Sequence, residues 1–222
     1  MKKITAIILG CILICSMLSG CCIIHDWQSA TCEKPETCSK CGETKGNAIG
    51  HNWTIPNATC TEDKLCTTCG KIEAHATGHN WTEATEATPR ICTNCKEMEP
   101  MDLPANGQVF IGKDEYCSSM LTIRSSTTNS CYIKLKDSSG KDVYSFFVRA
   151  GETVNAPVPG GYYYVYFAYG DDWYGTEYVF GPETTYAKDD EICDFLSYTW
   201  EYTLYPSYGG NFSETPIDGS EF

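Results

Sequence analysis

The alternation of hydrophobic and polar positions divides the chain into three textures. Residues 4–18 form an apolar run behind Lys2 and Lys3. Residues from about 25 to 99 are polar, rich in Thr, Glu, Lys, Gly and Asn, and keep neither a helical nor a strand period. From Gln108 the texture changes to short apolar and aromatic runs at 120–124, 131–136, 143–148, 162–169 and 198–205, with turn residues at 137–140 and 157–161. Such spacing predicts a mainly β fold built as an antiparallel β-sandwich or small barrel over residues 108–222. Residues 188–195 read as one or two helical turns, and 100–107, with Pro100, Pro104 and Gly107, as a linker.

The apolar run is too short to be a comfortable membrane span and ends at Leu18-Ser19-Gly20-Cys21. Those four residues resemble the lipobox of bacterial lipoproteins. The resemblance implies that residues 1–20 are a signal peptide, that Cys21 receives a diacylglyceryl group, and that the protein is lipid-anchored to the bacterial membrane outside the cytoplasm.

Fifteen cysteines are far more than an ordinary cytosolic chain carries. Cys11 and Cys15 fall in the apolar run and Cys21 at its end, and most of the others follow a repeat. His-x-Trp occurs at His25, His51 and His79, with offsets of 26 and 28 residues, and each copy is followed by a cysteine cluster. The first continues to Cys32, Cys38 and Cys41, the second to Cys60, Cys66 and Cys69; the third has Glu86 in place of the lone cysteine, then Cys92 and Cys95. A segment this poor in aliphatics cannot bury enough surface to fold alone, so the cysteines must stabilise residues 21–99.

Two chemistries fit. Cys-x-x-Cys offers two thiolates from one turn, and a glycine after it, as at Gly42 and Gly70, permits the positive φ that such knuckles need. A third cysteine and a histidine complete a tetrahedral zinc site. If each unit uses the histidine that opens it, the sets are His25/Cys32/Cys38/Cys41, His51/Cys60/Cys66/Cys69 and His79/Glu86/Cys92/Cys95; if the histidine that follows, the third set lacks one. The opening register is the more economical. The rival is disulfide pairing, Cys38–Cys41, Cys66–Cys69, Cys92–Cys95 and Cys32–Cys60, which suits an extracytoplasmic location but strains each two-residue loop and leaves the histidines without a role. Trp27, Trp53 and Trp81 read as covers for the small sites. His75, outside the register, reads as a solvated loop residue.

The repeated Ala-Thr-Cys…Cys-x-x-Cys-Gly…Gly-His-x-Trp pattern, from Ala30 to Trp53 and again from Ala58 to Trp81, resembles Cys-rich repeats in surface proteins of Gram-positive bacteria. Those are accessory modules attached to varied partners, and the resemblance implies no catalytic activity. The stretches around Trp173-Tyr174-Gly175 and Phe180-Gly181-Pro182 look like a domain of uncharacterised bacterial secreted proteins.

Aromatic residues dominate the distal domain. In a strand, Tyr162, Tyr164 and Tyr166 share one face and Tyr163, Val165, Phe167 and Tyr169 the other. An exposed tyrosine row beside Trp173 would stack on a cell-wall glycan or receive a surface protein; the plainer reading is a sheet face packed with good strand formers. The carboxylates of Asp171-Asp172 and Asp189-Asp190-Glu191 lack the regular spacing of a calcium loop. Cys117 and Cys131 are placed to pair, and Cys193 reads as a buried small residue.

Net charge is −13, with eleven of the excess negative charges lying from Asp102 onward. An acidic distal domain argues against nucleic acid as a partner. No nucleophile motif or phosphate loop is present, and no histidine follows His79 to serve as a base. The expectation is a non-enzymatic surface lipoprotein, with thiol-redox or zinc handling and a small two-carboxylate carbohydrate-active enzyme as the alternatives.

Overall fold

The structure, a computed structural model, describes residues 22–125, 128–204 and 213–222. The apolar run and Cys21 lie outside them. The chain forms two compact units, one ending at His79 and the other spanning Asn80–Phe222.

The first unit is built from very short strands. β1 (Trp27–Gln28), β2 (Glu36–Cys38) and β3 (Thr44–Lys45) make one small antiparallel sheet, and β4 (Lys64–Leu65) pairs with β5 (Ile72–Ala74). Among the described residues of this unit, the buried hydrophobic side chains are Cys32, Cys38, Cys60 and Cys66, while Ile23, Ile24, Ile49 and Ile72 are exposed. Two-residue strands with no aliphatic core beneath them have little to offset their conformational entropy. The cysteines are therefore the core.

The second unit begins with β6 (Arg90–Ile91) paired to β7 (Met98–Glu99). The strands that follow are β8 (Val109–Ile111), β9 (Cys117–Arg124), β10 (Ser130–Lys136), β11 (Asp142–Val148), β12 (Thr153–Pro159), β13 (Tyr162–Gly170), β14 (Thr185–Asp189), β15 (Cys193–Asp194), β16 (Trp200–Thr203) and β17 (Glu214–Pro216). They form a large sheet in the order β17-β14-β13-β10-β11-β8, with β15 beside β13, and a small sheet β12-β9-β16. Leu121, Ile123, Val154, Ala156 and Val158 from the small sheet pack with Ile133, Leu135, Phe146, Val148, Val165 and Phe167 from the large one. This is the sandwich expected from the alternation. One pairing departs from an antiparallel plan, because β16 runs parallel to β9.

Three local expectations are corrected. Residues 188–195 are not helical: β14 and β15 occupy them, and the helix present, α1, is a single turn at Gly175–Tyr178. The supposed turn at 157–161 begins later, since β12 runs on through Pro157 and Pro159 as an edge strand, where a missing N–H costs no ladder bond. The supposed linker is fastened to the sandwich. The Met101 N–H donates to the Trp173 carbonyl at 2.7 Å, the Arg149 guanidinium donates to the Leu103 and Pro104 carbonyls, and the Gly107 N–H donates to the Phe147 carbonyl.

The large sheet is buried on both faces. On the face away from the small sheet, Tyr132, Phe147 and Ala168 pack beneath Trp173, Val179, Phe180 and Phe222. The segment from Trp173 to Phe180 is held against the preceding repeat: the Glu177 N–H donates to the Ala87 carbonyl at 2.9 Å, and a Cβ at Gly175, whose φ is +88°, would lie 2.4 Å from the Ala87 oxygen. Between the two sheets sits a polar cluster. Asp189 is 4% exposed and accepts from the Tyr202 hydroxyl at 2.5 Å and from the Glu191 N–H, while the Cys193 sulfur lies 2.9 Å from the same hydroxyl.

Burial pushes the Tyr132 and Tyr144 phenols up to about 12. An unfolded tyrosine ionises near about 10, so their contribution is fully present below that pH and declines as pH rises from there toward 12. Urea unfolding monitored between these limits should show falling stability in the second unit. Tyr132→Phe should make that decline shallower.

Candidate metal centres

Each repeat makes the same knuckle. The amide of the first knuckle cysteine donates two residues past the second, Cys38 to the Glu43 carbonyl and Cys66 to the Lys71 carbonyl, both at 2.8 Å. The amide after the second cysteine donates back, Gly42 to Cys38 at 2.9 Å and Gly70 to Cys66 at 2.8 Å. Closing that turn needs positive φ, and Gly42 and Gly70 adopt +75° and +72°. Lys96 takes +67° at the third knuckle, a conformation that costs a side-chain-bearing residue about 1–2 kcal/mol.

His-x-Trp is fastened to the knuckle of its own repeat. Trp27 pairs with Cys38 and Trp53 with Cys66, and the middle residue of the motif accepts from the next amide along: Ser39 to Asp26, Thr67 to Asn52. That pairing sets the opening histidine beside its Cys-x-x-Cys. The lone cysteine goes elsewhere. Ile49 N–H and Gly50 N–H donate to the Thr31 and Cys32 carbonyls at 2.9 and 3.1 Å, and Thr77 and Gly78 repeat this on Thr59 and Cys60. Ala-Thr-Cys is thus paired with the Gly-His of the following repeat.

The ligand sets follow from these two pairings and correct the predicted register. One set is Cys22, His25, Cys38 and Cys41; the next is Cys32, His51, Cys66 and Cys69, with the four ligand atoms of each set mutually within 4.8 Å. Cys32 therefore serves His51 and not His25, and Cys22, to which the sequence assigned no role, completes the first set. Cys60 is likewise held next to Gly78, at the threshold of His79, rather than with His51. Glu86 is not a ligand, because its carboxylate meets the Lys113 ammonium at 3.0 Å.

Two edges of the second centre match those of a tetrahedral metal site with arms of zinc-like length. With metal–sulfur arms of about 2.3 Å and metal–nitrogen arms of about 2.0 Å, the edges should be about 3.7 Å between sulfurs and 3.5 Å from sulfur to nitrogen. Cys32 Sγ and Cys66 Sγ are 3.7 Å apart, and Cys69 Sγ lies 3.5 Å from His51 Nδ1. The first centre is drawn tighter: Cys22 Sγ lies 2.9 Å from Cys41 Sγ, 3.4 Å from Cys38 Sγ and 3.2 Å from His25 Nδ1. None of the twelve described cysteines, Cys117 and Cys131 included, is in a disulfide.

Both rings present Nδ1 to the thiols and turn Nε2 to a carboxylate, Glu43 at 3.4 Å from His25 and Glu33 at 3.7 Å from His51. Such a carboxylate fixes the ring's orientation and raises the basicity of the nitrogen facing the metal. Each ring also stacks on the tryptophan two residues on, with centroids 4.9 and 4.8 Å apart, and Lys45 and Lys64 lie over those same tryptophans. The tryptophans cover the sites, as their place in the motif suggested. His75 is exposed and pairs with Asp63.

The thiols are electrostatically unequal. At Cys66 burial opposes ionisation, yet backbone groups of Cys69, Thr68 and Asn52 and the His51 ring bring it down to about 5; Cys38 is brought to about 5 by its counterparts. Cys22, whose thiol donates a hydrogen bond to the Cys41 sulfur, is pushed up to about 12, and burial beside Cys69 and Cys66 raises Cys32 to about 11. Adjacent thiolates cannot all carry charge without a cation among them. Binding of a divalent metal would release the retained protons.

No protein-family model matches this chain, and no curated protein or solved structure does.

The predicted tyrosine row is taken apart by the fold. Trp173 is 2% exposed in the second apolar cluster, Tyr164 and Tyr166 are half-buried with Lys136 over the Tyr166 ring, and Tyr162 alone of the four is well exposed. They do not form one open stacking face. Asp190 of the acidic loop accepts from Thr215, and Asp189 is committed to Tyr202.

Proposed function

We propose that this chain is a non-enzymatic, lipid-anchored surface protein in which Cys₃His centres, most simply zinc, staple successive repeats together and carry an acidic β-sandwich outside the cytoplasm. The observation that carries the reading is that the second ligand set spans a repeat boundary, its lone cysteine, Cys32, coming from the repeat before that of His51, while in the first set Cys22 comes from the residues before His25. A metal so placed makes one repeat depend on its neighbour, which is what repeats with no buried aliphatic side chains among their described residues require. The same spacing extends to a third set. Cys60 stands nineteen residues before His79 as Cys32 stands before His51, and Cys92 follows His79 by thirteen residues as Cys38 follows His25.

Cys22 also bears on the anchor. If Cys21 carries the lipid, the first centre begins at the residue beside it, so the repeats are fixed from their first residue. Cell-wall glycan or a surface protein remains the partner class proposed for the sandwich. A thiol-redox role for the repeat cysteines has less support, because Cys38/Cys41 and Cys66/Cys69 each gather a histidine and a further cysteine around them, which a redox pair does not need.

Elemental analysis of folded protein tests the reading. Three equivalents of metal are expected, and a strong chelator should unfold the repeats while the sandwich persists. Metal-free protein whose repeats melt only under reductant would overturn it.

A further inference from the structure

The two centres within the first unit share a ligand set but differ in what surrounds it. In the first, Glu43 stands two residues past the knuckle and faces His25 Nε2. At the equivalent place the second carries Lys71, whose ammonium takes the same Glu33 oxygen that faces His51 Nε2. Glu33 is thus divided between a lysine and the histidine, and it supports the ring less than Glu43 can. Trp27 and Trp53 stack alike on their histidines, so around the rings the difference lies in the carboxylate and its cation.

Access differs as well. A cleft of 240 Å³ opens directly on the second centre, lined by Thr31, Cys32, Glu33, Lys34, Cys69 and Lys71. Two of its walls are ligand cysteines, and Cys69 is exposed where its counterpart Cys41 is half-buried. Two lysines, Lys34 and Lys71, stand at the mouth against one carboxylate, Glu33, which leaves an excess ammonium there in a chain of strongly negative net charge. A small anion is drawn to such a mouth, and a cleft of this size admits a molecule of several heavy atoms.

We propose that the second centre is an exchange site, through which metal passes to and from small anionic chelating acceptors, while the first is a fixed staple. This rests on the metal reading of the repeats. In exchange, an acceptor carboxylate or thiolate entering between Lys34 and Lys71 bonds the metal as its bond to Cys69 breaks. One metal–ligand bond replaces another, and no electron changes hands.

The test uses the full chain loaded with zinc, ¹⁵N-labelled at histidine, and mixed with nitrilotriacetate as the acceptor. The His51 ring signals are expected to revert to their metal-free positions at least tenfold faster than those of His25. Lys71→Met frees Glu33 for His51 and removes one charge from the mouth, so it should slow the His51 step threefold or more and leave His25 unchanged. High salt should slow the same step. Equal rates, faster loss at His25, or an unaltered rate in Lys71→Met would overturn the exchange site while leaving the staples standing. If added zinc moves neither histidine's signals, the metal reading itself fails.

Discussion

Cys66→Ser is expected to lose one equivalent of metal and to unfold the repeat around it, the largest single-residue effect in the molecule. Cys66 is fully buried, pairs with Trp53, donates to Lys71 and accepts from Gly70, so it anchors both the knuckle and the His-x-Trp segment. Among the described residues of the first unit no buried aliphatic side chain is present to take over, since the buried hydrophobic positions are cysteines. Metal binding in small structural zinc sites is worth about 10–16 kcal/mol at neutral pH, and where no apolar core exists that energy is the folding energy. Serine offers an alkoxide donor only at great cost, so the centre should be lost outright. Amide dispersion for residues 51–78 should collapse and proteases should cut there, while the near-ultraviolet signal of the sandwich aromatics survives. Cys193→Ser, placed in the sandwich core beside Tyr202, is the control: it should lower stability by about 1–2 kcal/mol and leave the metal content unchanged. A Cys66→Ser protein with its full metal complement and intact repeats would remove the staple model.

Apart from Glu86, the residue types at the centres were legible in the sequence, and so was the positive φ at Gly42 and Gly70, but not that Lys96 would adopt it too. The register was not. Spacing alone offered two histidine assignments, and the structure takes half of each, joining the knuckle to the histidine that opens its repeat and the lone cysteine to the histidine that follows it. The deciding signal was the Ala-Thr-Cys and Gly-His segments that recur together: they are the two sides of one backbone pairing, Gly50 on Cys32 and Gly78 on Cys60. Once that pairing is recognised, Cys22 is the obvious fourth ligand of the first set, because no earlier repeat exists among the described residues to supply one. The carboxylates Glu33 and Glu43 carried no signal, since acidic residues are common in these segments and only the ring geometry singles out two of them.

In the sandwich, strands with period-two alternation were legible, and those with other marks were hidden. β12 was masked by its prolines, which an edge strand tolerates. β14 and β15 were masked by the run of carboxylates from Asp189 to Asp194, of which Asp189 points inward to Tyr202. An exposed tyrosine row would have needed a solvated face on the large sheet, and the plainer reading of a packed face is the one that holds. The residues around Trp173 fold back over it, a long-range event that local periodicity does not record.

Trp173→Ala carries the test of that covering. Its ring lies 5.2 Å from Phe147, 5.4 Å from Tyr132, 5.6 Å from Phe180 and 5.8 Å from Phe110, and its carbonyl holds Met101. Truncating a tryptophan so enclosed costs about 3–5 kcal/mol, through lost transfer energy and the cavity left among rigid neighbours. For a unit of this size that lowers the melting temperature by about 10 °C. Tyr162→Ala, at a side chain 53% exposed, should change stability by no more than about 0.5 kcal/mol. Metal content should be the same in both variants, since neither residue touches a cysteine set. The contrast separates the two readings of the aromatic face. If Trp173 were a stacking platform, its loss would abolish ligand binding and spare the melting temperature; as the centre of a second core, its loss must appear first in stability, with the covering segment and the Met101 contact loosening together.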